Sequence, residues 1–259
     1  MAHPHTRENR GAVSLNGLRA SRHAAVVVLA LLSTSVTAHG QTLTVGNPRD
    51  LLVGDPAAFM ELLEATRPAP VSREDLGAIL RALPLEGEVT KLGAPAQQKV
   101  DAVRQMLEST RRGWYEIRVI DVPQAAVALY ARTVVLISQP ALELLNAAEL
   151  QGIAAHEIGH EYVWTEWHRA RQHADRQRLN ELELVCDAIA AVTLRQLGMD
   201  PLRVIDAIEK VAQFNRQRFG SALNENNYPT LATRRAFARD IQQWLRYSSG
   251  RPPSGFDRN

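Results

Sequence analysis

The sequence predicts an α+β protein that is mostly helical. Apolar positions recur with helical spacing in the first third and the second half of the chain. Between them, residues 114–121 alternate apolar and polar positions as β-strands do, and a further pair of strands is predicted up to residue 138. The 259 residues are 45% hydrophobic and 22% charged, which is ordinary for a globular protein with a real core. Because the strand-like stretch is short, we expect a small, mainly antiparallel sheet packed on helices.

The first 40 residues have the features of a secretory signal peptide. Four arginines precede an apolar stretch at 24–36, and Ala38-His39-Gly40 supplies the small residues that a signal peptidase reads. The apolar stretch is shorter than the about 20 residues that span a membrane, so an uncleaved anchor is the less favoured alternative. The sequence therefore predicts an exported, periplasmic protein, with a secreted form as a further alternative.

Removal of this segment reverses the sign of the net charge. Residues 1–40 contain four arginines and one glutamate, a net charge of +3, and the whole chain carries +2, which leaves −1 on residues 41–259. A weakly acidic protein gives no support to nucleic-acid binding. The single cysteine, Cys186, excludes an intramolecular disulfide and is interpreted as a small buried residue.

Residues 41–112 are predicted to form a helical N-terminal segment that packs on the rest of the protein. Ser72, followed by Glu74 and Asp75, has the pattern of a helix N-cap. Helices are predicted in this segment at 56–65, 72–82 and 94–111. Strands are then predicted at 114–121, 125–130 and 133–138, with Ala131-Arg132 between the last two.

A long helix is predicted to follow the strands. Asn146, with Glu149 at the third helical position, forms an N-cap pattern, and the helix is expected to run from about 147 to 168 or beyond. The next helix, over 179–197, is expected to end at Gly198, because glycine favours the left-handed backbone that follows a helix. Further helices are predicted at 140–145, 201–214 and 230–247, followed by a flexible tail at 249–259.

The long helix carries the sequence His156-Glu157-Ile158-Gly159-His160. Histidines four residues apart on a helix project from one face, and two imidazoles at this separation can bind one zinc ion. The four histidines that lie outside residues 1–40 all fall between 156 and 173. We interpret the first two as ligands, and His168 and His173 as surface or core imidazoles.

Glu183 and Asp187 supply carboxylates on the next helix. They are four residues apart and share a face, whereas Glu181 points away from it. A catalytic zinc needs a third protein ligand and an open position for water, so we predict one Zn²⁺ bound by His156, His160 and Glu183. Asp187 is expected to accept a hydrogen bond from the free N–H of His156.

This arrangement predicts metal-assisted hydrolysis of an amide bond. Zinc lowers the pKa of its water molecule toward about 7. Glu157 is expected to act as the general base, taking the proton from that water and passing it to the leaving amine. Gly159 is expected to allow the close approach of a neighbouring strand or helix.

Taken together, these motifs resemble the HtpX and CAAX-prenyl-endopeptidase family of gluzincin metallopeptidases, especially its periplasmic BepA-like members. The similarity spans about residues 114–245 and rests on three pieces, which are 134–160, Glu183-Leu184-Val185-Cys186-Asp187, and Asn227-Tyr228-Pro229-Thr230 with Arg234. The resemblance implies a zincin-like fold for residues 113–248, Glu183 as the third zinc ligand, and a role in the quality control of exported proteins. It also implies an edge strand, near 125–130, that aligns an extended polypeptide substrate.

Two positions depart from the family pattern. Cys186 stands where the family has alanine, which exchanges one small residue for another. Tyr228 stands where the family has a histidine near the metal. A tyrosine can still donate a hydrogen bond to an oxyanion, so Tyr228 and Arg234 are predicted to assist catalysis together with Glu157.

The sequence therefore predicts a zinc metalloendopeptidase that acts on polypeptides. Two alternatives stay open, a weakly active or silent metal-binding chaperone or scaffold protein on the same fold, and a deformylase-like hydrolase in which Cys186 is a ligand. The basic run at 168–178 is interpreted as a solvated helix end, with contact to a membrane or an envelope protein as the alternative. Trp164 and Trp167, just before it, are expected to cover a hydrophobic core.

Overall fold

The fold consists mainly of helices, with one three-stranded sheet. The computed structural model describes residues 43, 45–83, 87–110, 115–220 and 228–248. In chain order, after a 3-10 helix at Pro48–Leu52, the elements are α1 Pro56–Ala65, α2 Arg73–Ala82, α3 Ala94–Ser109, β1 Glu116–Ile120, β2 Val127–Tyr130, β3 Val134–Ser138, α4 Gln139–Leu144, α5 Ala147–Gln172, α6 Arg176–Gln196, α7 Arg203–Phe219 and α8 Leu231–Ser248. The predicted α+β class, with helices predominating, is confirmed.

Some predictions fall on residues that the structure does not describe. The signal peptide at 1–40 and the tail at 249–259 lie outside the described ranges, as do Trp114 and Asn227. Within those ranges, no helix combines the length and the apolar character needed to cross a membrane.

The sheet is mixed, which corrects the prediction of a mainly antiparallel one. Its strand order is β1-β3-β2. β2 pairs with β3 antiparallel, from Val127 opposite Ile137 to Tyr130 opposite Val134, and β1 pairs with β3 parallel over its full length. β3 takes the middle position, so β1 lies beside a strand that runs in its own direction. The sequence pattern identifies strands but does not specify this order.

The β2–β3 hairpin turns at the predicted position. Ala131 and Arg132 both adopt positive φ angles, 47° and 63°, as the central residues of a type I′ turn do. The Thr133 N–H donates to the Tyr130 carbonyl at 3.1 Å. The buried guanidinium of Arg132 donates to the carbonyl of Ala69 at 2.8 Å, which ties the turn to the segment before α2.

Helix boundaries follow the capping residues. The predicted cap of α5 is confirmed, because Asn146 and Glu149 form a reciprocal capping box. α6 begins earlier than predicted, at Arg176, since the Asp175 carboxylate accepts a hydrogen bond from the Arg178 N–H at 3.0 Å. Gly198 follows α6 with a φ of 72°, and α7 continues past its predicted end to Gly220, where φ is 78°.

Two apolar clusters share α5. The first joins the sheet, α3, α4 and α7 to the first half of α5, and the second joins α1, most of α6 and α8 to its second half. The H-E-x-x-H motif lies where they meet, because Ala155 and Ile158 belong to the first cluster and Tyr162 and Val163 to the second. Burial on both sides fixes the rotation of α5 and therefore the direction of the motif's side chains.

Two glycines allow α5 to lie very close to its neighbours. A Cβ atom on Gly159 would lie 3.1 Å from the Cα atom of Cys186 on α6. The close neighbour predicted for this glycine, a strand or a helix, is therefore the helix α6. A Cβ atom on Gly152 would lie 2.8 Å from backbone atoms of Arg203 and Val204 at the start of α7. The contact at Gly159 places the middle of α6, with its carboxylates, against the histidines of α5.

Candidate metal centre

The two histidines of the motif lie side by side on α5. Their rings meet edge to face with centroids 5.1 Å apart. His156 is buried, and His160 is partly buried. One turn of helix separates them, so both rings point toward the same side of α5, as the spacing predicted.

Glu183 of α6 lies against both imidazoles. Its Oε2 atom is 3.2 Å from Nε2 of His156, and its Oε1 atom is 3.6 Å from Nε2 of His160. The carboxylate is 1% exposed. The structure thus brings together the three side chains that the sequence predicted as ligands.

Asp187 lies on the far side of the His156 ring. Its Oδ1 atom is 2.8 Å from Nδ1 of His156, and the residue is fully buried. When the ring is neutral, this contact favours the tautomer with the proton on Nδ1, which leaves the Nε2 lone pair directed toward Glu183.

Glu157 is a second carboxylate close to the histidines. His156, Glu157 and His160 each offer a ligand atom within 4.8 Å of the others, so these three side chains could together hold a metal ion. Glu157 also accepts a hydrogen bond from the backbone N–H of Leu129 on β2, at 3.0 Å. Loss of hydration is the main cause that raises the pKa of Glu157 to about 7. Such a carboxyl group can hold or release a proton near neutral pH.

Two distances between possible donor atoms can be compared with those around a tetrahedral metal ion. Bonds of about 2.0–2.1 Å from zinc to nitrogen and oxygen place neighbouring ligand atoms about 3.3 Å apart. Nε2 of His156 lies 3.2 Å from Oε2 of Glu183, and Nε2 of His160 lies 3.6 Å from Oε1, so each imidazole is near that spacing from a different oxygen of the carboxylate. Glu183 faces the two imidazoles with its two oxygens, whereas His156, Glu157 and His160 are the residues whose single ligand atoms all lie within 4.8 Å of one another.

Burial and charge shift the pKa values of the site in opposite directions. Burial disfavours the imidazolium of His156, but hydrogen bonds to Asp187 and Glu183 outweigh it and raise its pKa to about 10. Burial lowers the pKa of His160 to about 4. Burial also opposes ionisation of Glu183, yet the nearby histidines and Arg234 hold its pKa well below the usual range.

Arg234 of α8 joins the two buried carboxylates of α6. One amine of its guanidinium donates to both oxygens of Asp187, at 2.5 and 2.7 Å, and the other donates to Oε2 of Glu183 at 3.0 Å. The residue is 4% exposed. Arg234 was predicted to assist the transition state. The hydrogen bonds that its guanidinium donates within the described residues are directed at Glu183 and Asp187, and they fix the orientation of these two carboxylates.

Tyr228 lies near the site and is partly open to solvent. It is 42% exposed. Loss of hydration, followed by the carboxylates of Glu183 and Glu157, raises the pKa of its phenol, which keeps the hydroxyl protonated as a donor. Its predicted role as a hydrogen-bond donor to substrate stays a prediction.

Cys186 lies outside the cluster of donor atoms. It is buried against Gly159, and burial, together with the carboxylates of Glu183 and Asp187, raises the pKa of its thiol well above the usual value. In the metal-free protein the thiol therefore stays protonated. Its position outside the cluster of His156, Glu157 and His160 argues against the deformylase-like alternative.

Sequence reasoning missed Trp167 as a residue of the site. Its indole N–H donates to Oε1 of Glu183 at 3.4 Å. The available signal was its spacing, since residue 167 follows His160 by two helical turns on the same face.

Part of the basic run at 168–178 forms ion pairs within the protein, because Arg169 and Arg178 both pair with Glu166.

Comparisons with known proteins add nothing to these observations. The chain matches no protein-family model and no curated protein. Its functional assignment therefore depends on the chemistry and geometry of the site.

Proposed function

We propose that the protein is a zinc-dependent metalloendopeptidase with a zincin-like fold, related to the HtpX and CAAX-prenyl-endopeptidase family. His156, His160 and Glu183 would bind one zinc ion, with Glu157 as the general base. The observation that carries this proposal is the position of the Glu183 carboxylate, 3.2 and 3.6 Å from the two imidazole Nε2 atoms. A set of two imidazoles and one carboxylate is the donor chemistry that catalytic zinc uses in peptidases.

In this proposal the metal ion and Glu157 have different chemical roles. A bound zinc ion would supply Lewis acidity, which polarises a carbonyl group and makes water more acidic. Glu157 takes the proton of the attacking water on its carboxylate and delivers it to the leaving nitrogen. A pKa of about 7 suits this exchange, since the group can then accept and return a proton at neutral pH.

The edge of the sheet supports a polypeptide as the substrate. β2 is an edge strand whose partner in the sheet is β3. In an antiparallel pair, the N–H and C=O of one residue point to the same side. The Leu129 N–H reaches Glu157, so the Leu129 carbonyl also faces away from β3 and is available to an extended peptide. A substrate paired with this edge would pass directly beside the general base.

The predicted signal peptide indicates where the proposed peptidase would act. A peptidase exported to the periplasm would meet unfolded or damaged envelope proteins, whose extended segments can pair with a strand edge. Quality control of exported proteins is therefore the proposed setting. The basic run at 168–178 could contact a membrane or an envelope protein as a secondary feature.

Substitution Glu157→Gln tests the hydrolytic mechanism. We expect the variant to keep its zinc and to cleave a labelled unfolded protein, such as casein, about 10²- to 10⁴-fold more slowly, because only the base is lost. Glu143→Gln is the matched control, since Glu143 is exposed on α4 and bonds only Gln139 among the described residues. Cleavage by Glu157→Gln at the wild-type rate would contradict the mechanism. Zinc binding by a wild-type protein that cleaves nothing would favour the chaperone or scaffold alternative.

A further inference from the structure

Trp167 contacts the metal centre through Glu183. The indole nitrogen lies 3.4 Å from Oε1 of Glu183, and the indole ring packs edge to face on His160, with centroids 5.8 Å apart. Two of the three proposed ligands therefore touch one tryptophan. Neither contact follows from the H-E-x-x-H motif itself.

The indole ring is held in place on several sides. The ring of His168 meets it edge to face at 5.3 Å, and the guanidinium carbon of Arg171 lies 5.2 Å from its centroid. Trp167 is only partly exposed. A ring fixed in this way presents its N–H in one direction, toward α6.

The donors on Glu183 account for the orientation of its carboxylate. Trp167 donates to Oε1, and Arg234 donates to Oε2 at 3.0 Å. A carboxylate oxygen has two lone-pair positions, so the bonds from Trp167 and Arg234 use one position on each oxygen and leave the other to face the imidazoles. On that side, Nε2 of His156 lies 3.2 Å from Oε2 and Nε2 of His160 lies 3.6 Å from Oε1.

We propose that Trp167 is a positioning residue that fixes the Glu183 carboxylate for metal binding. This inference rests on the proposed function, in which Glu183 is the third ligand. Trp167 acts through Glu183, as the hydrogen-bond partners of metal ligands do elsewhere.

The test compares metal binding by two tryptophan variants. Trp167→Phe keeps an aromatic ring and removes the N–H donor. Trp164→Phe is the matched control, because Trp164 lies one turn earlier on α5 and packs on His168, with no hydrogen bond to a site residue within the described ranges. Zinc affinity is measured by competition with a chromophoric chelator. The visible absorption of the Co²⁺-loaded protein reports the ligand geometry.

We expect Trp167→Phe to bind zinc about tenfold more weakly and to change the Co²⁺ absorption spectrum, whereas Trp164→Phe matches the wild type. If Trp167→Phe fails to fold, 3-benzothienylalanine at position 167 replaces it, since this side chain has the shape of tryptophan with sulphur in place of the N–H. Wild-type affinity and spectrum in the variant without the N–H would overturn the inference and leave the proposed function intact. A wild-type protein that binds no zinc would instead overturn the proposed function, and this inference with it.

Discussion

Asp187 Oδ1 lies 2.8 Å from Nδ1 of His156, on the side of the ring opposite to Glu183. His156 is thus held between two buried carboxylates of α6, one at each ring nitrogen. The same Asp187 accepts two hydrogen bonds from Arg234. α5, α6 and α8 are therefore connected through this one carboxylate.

Substitution Asp187→Asn is expected to weaken zinc binding about 10- to 100-fold, because an amide no longer fixes the His156 tautomer or strengthens the ring as a donor. Chelator competition measures the change. Asp240→Asn is the control, since Asp240 forms an exposed ion pair with Arg49 at 3.2 Å. Unchanged zinc affinity in Asp187→Asn would show that this carboxylate does not support the ligand.

Substitution Arg234→Met is expected to destabilise the metal-free protein by about 3–5 kcal/mol, because it leaves the charged ring of His156 as the one remaining cation, among the described residues, against two buried carboxylates. Arg235→Met changes the next residue along α8, which pairs with Glu209 at the surface, and should have a much smaller effect because the pair is exposed to solvent. Urea denaturation of both variants gives the two values. Similar losses in the two variants would mean that the buried ion pairs contribute no more than an exposed one.

Zinc binding is expected to release about one proton at pH 7.5. The pKa of His156 is raised to about 10 in the metal-free protein, so its ring is charged at that pH and must become neutral to bind a metal. Titration calorimetry in buffers with different ionisation enthalpies counts the proton. Zinc affinity should also rise about tenfold for each pH unit between 7 and 9. A pH-independent affinity in this range would contradict the raised pKa of His156.

The same shift predicts how His156 contributes to the stability of the metal-free protein. A histidine in the unfolded chain loses its proton at about pH 6.5, whereas His156 in the folded protein keeps its proton until about pH 10. The contribution is therefore fully present below about pH 6.5 and is lost as the pH rises through about 10. Denaturation of the metal-free protein and of His156→Gln at pH 6 and pH 10 measures it. The stability difference between the two proteins should shrink at the higher pH, and an unchanged difference would argue against the charged ring.

Substitution Gly152→Ala is expected to destabilise the protein by about 1–3 kcal/mol, although alanine is the better helix former. Its Cβ atom would lie 2.8 Å from the backbone at the start of α7, and backbone atoms cannot move aside locally. Gly77→Ala on α2 is the control, since its Cβ atom would meet only the flexible end of Arg81, at 3.4 Å. That change should stabilise the protein by up to about 1 kcal/mol. Thermal unfolding shows whether each substitution raises or lowers the stability of the protein. An increase in stability with Gly152→Ala would refute the close contact.

Local patterns predicted the features that depend on neighbouring residues. The capping box of α5 and the glycine that follows α6 depend on a few adjacent side chains and were predicted correctly. The grouping of His156 and His160 depends only on helical spacing. The hairpin turn at Ala131-Arg132 also depends on adjacent residues, and its position was predicted correctly.

Features that depend on how distant elements meet were not predictable in this way. The central position of β3 depends on how the connection after β1 crosses the sheet. The donors of Arg234 reach α6 because α8 packs there, and Trp167 reaches Glu183 because Gly159 brings α5 and α6 together. Such relationships have no signature within a single segment, which explains why Arg234 was given a different role and Trp167 none.

Zinc content after exhaustive dialysis of the wild type, Glu183→Gln and Glu157→Gln tests the central claim most directly. The account predicts one tightly held zinc ion per chain in the wild type and in Glu157→Gln, and little or none in Glu183→Gln. Full zinc content in Glu183→Gln, with loss in Glu157→Gln, would contradict it and identify the carboxylate within the H-E-x-x-H motif as the third ligand.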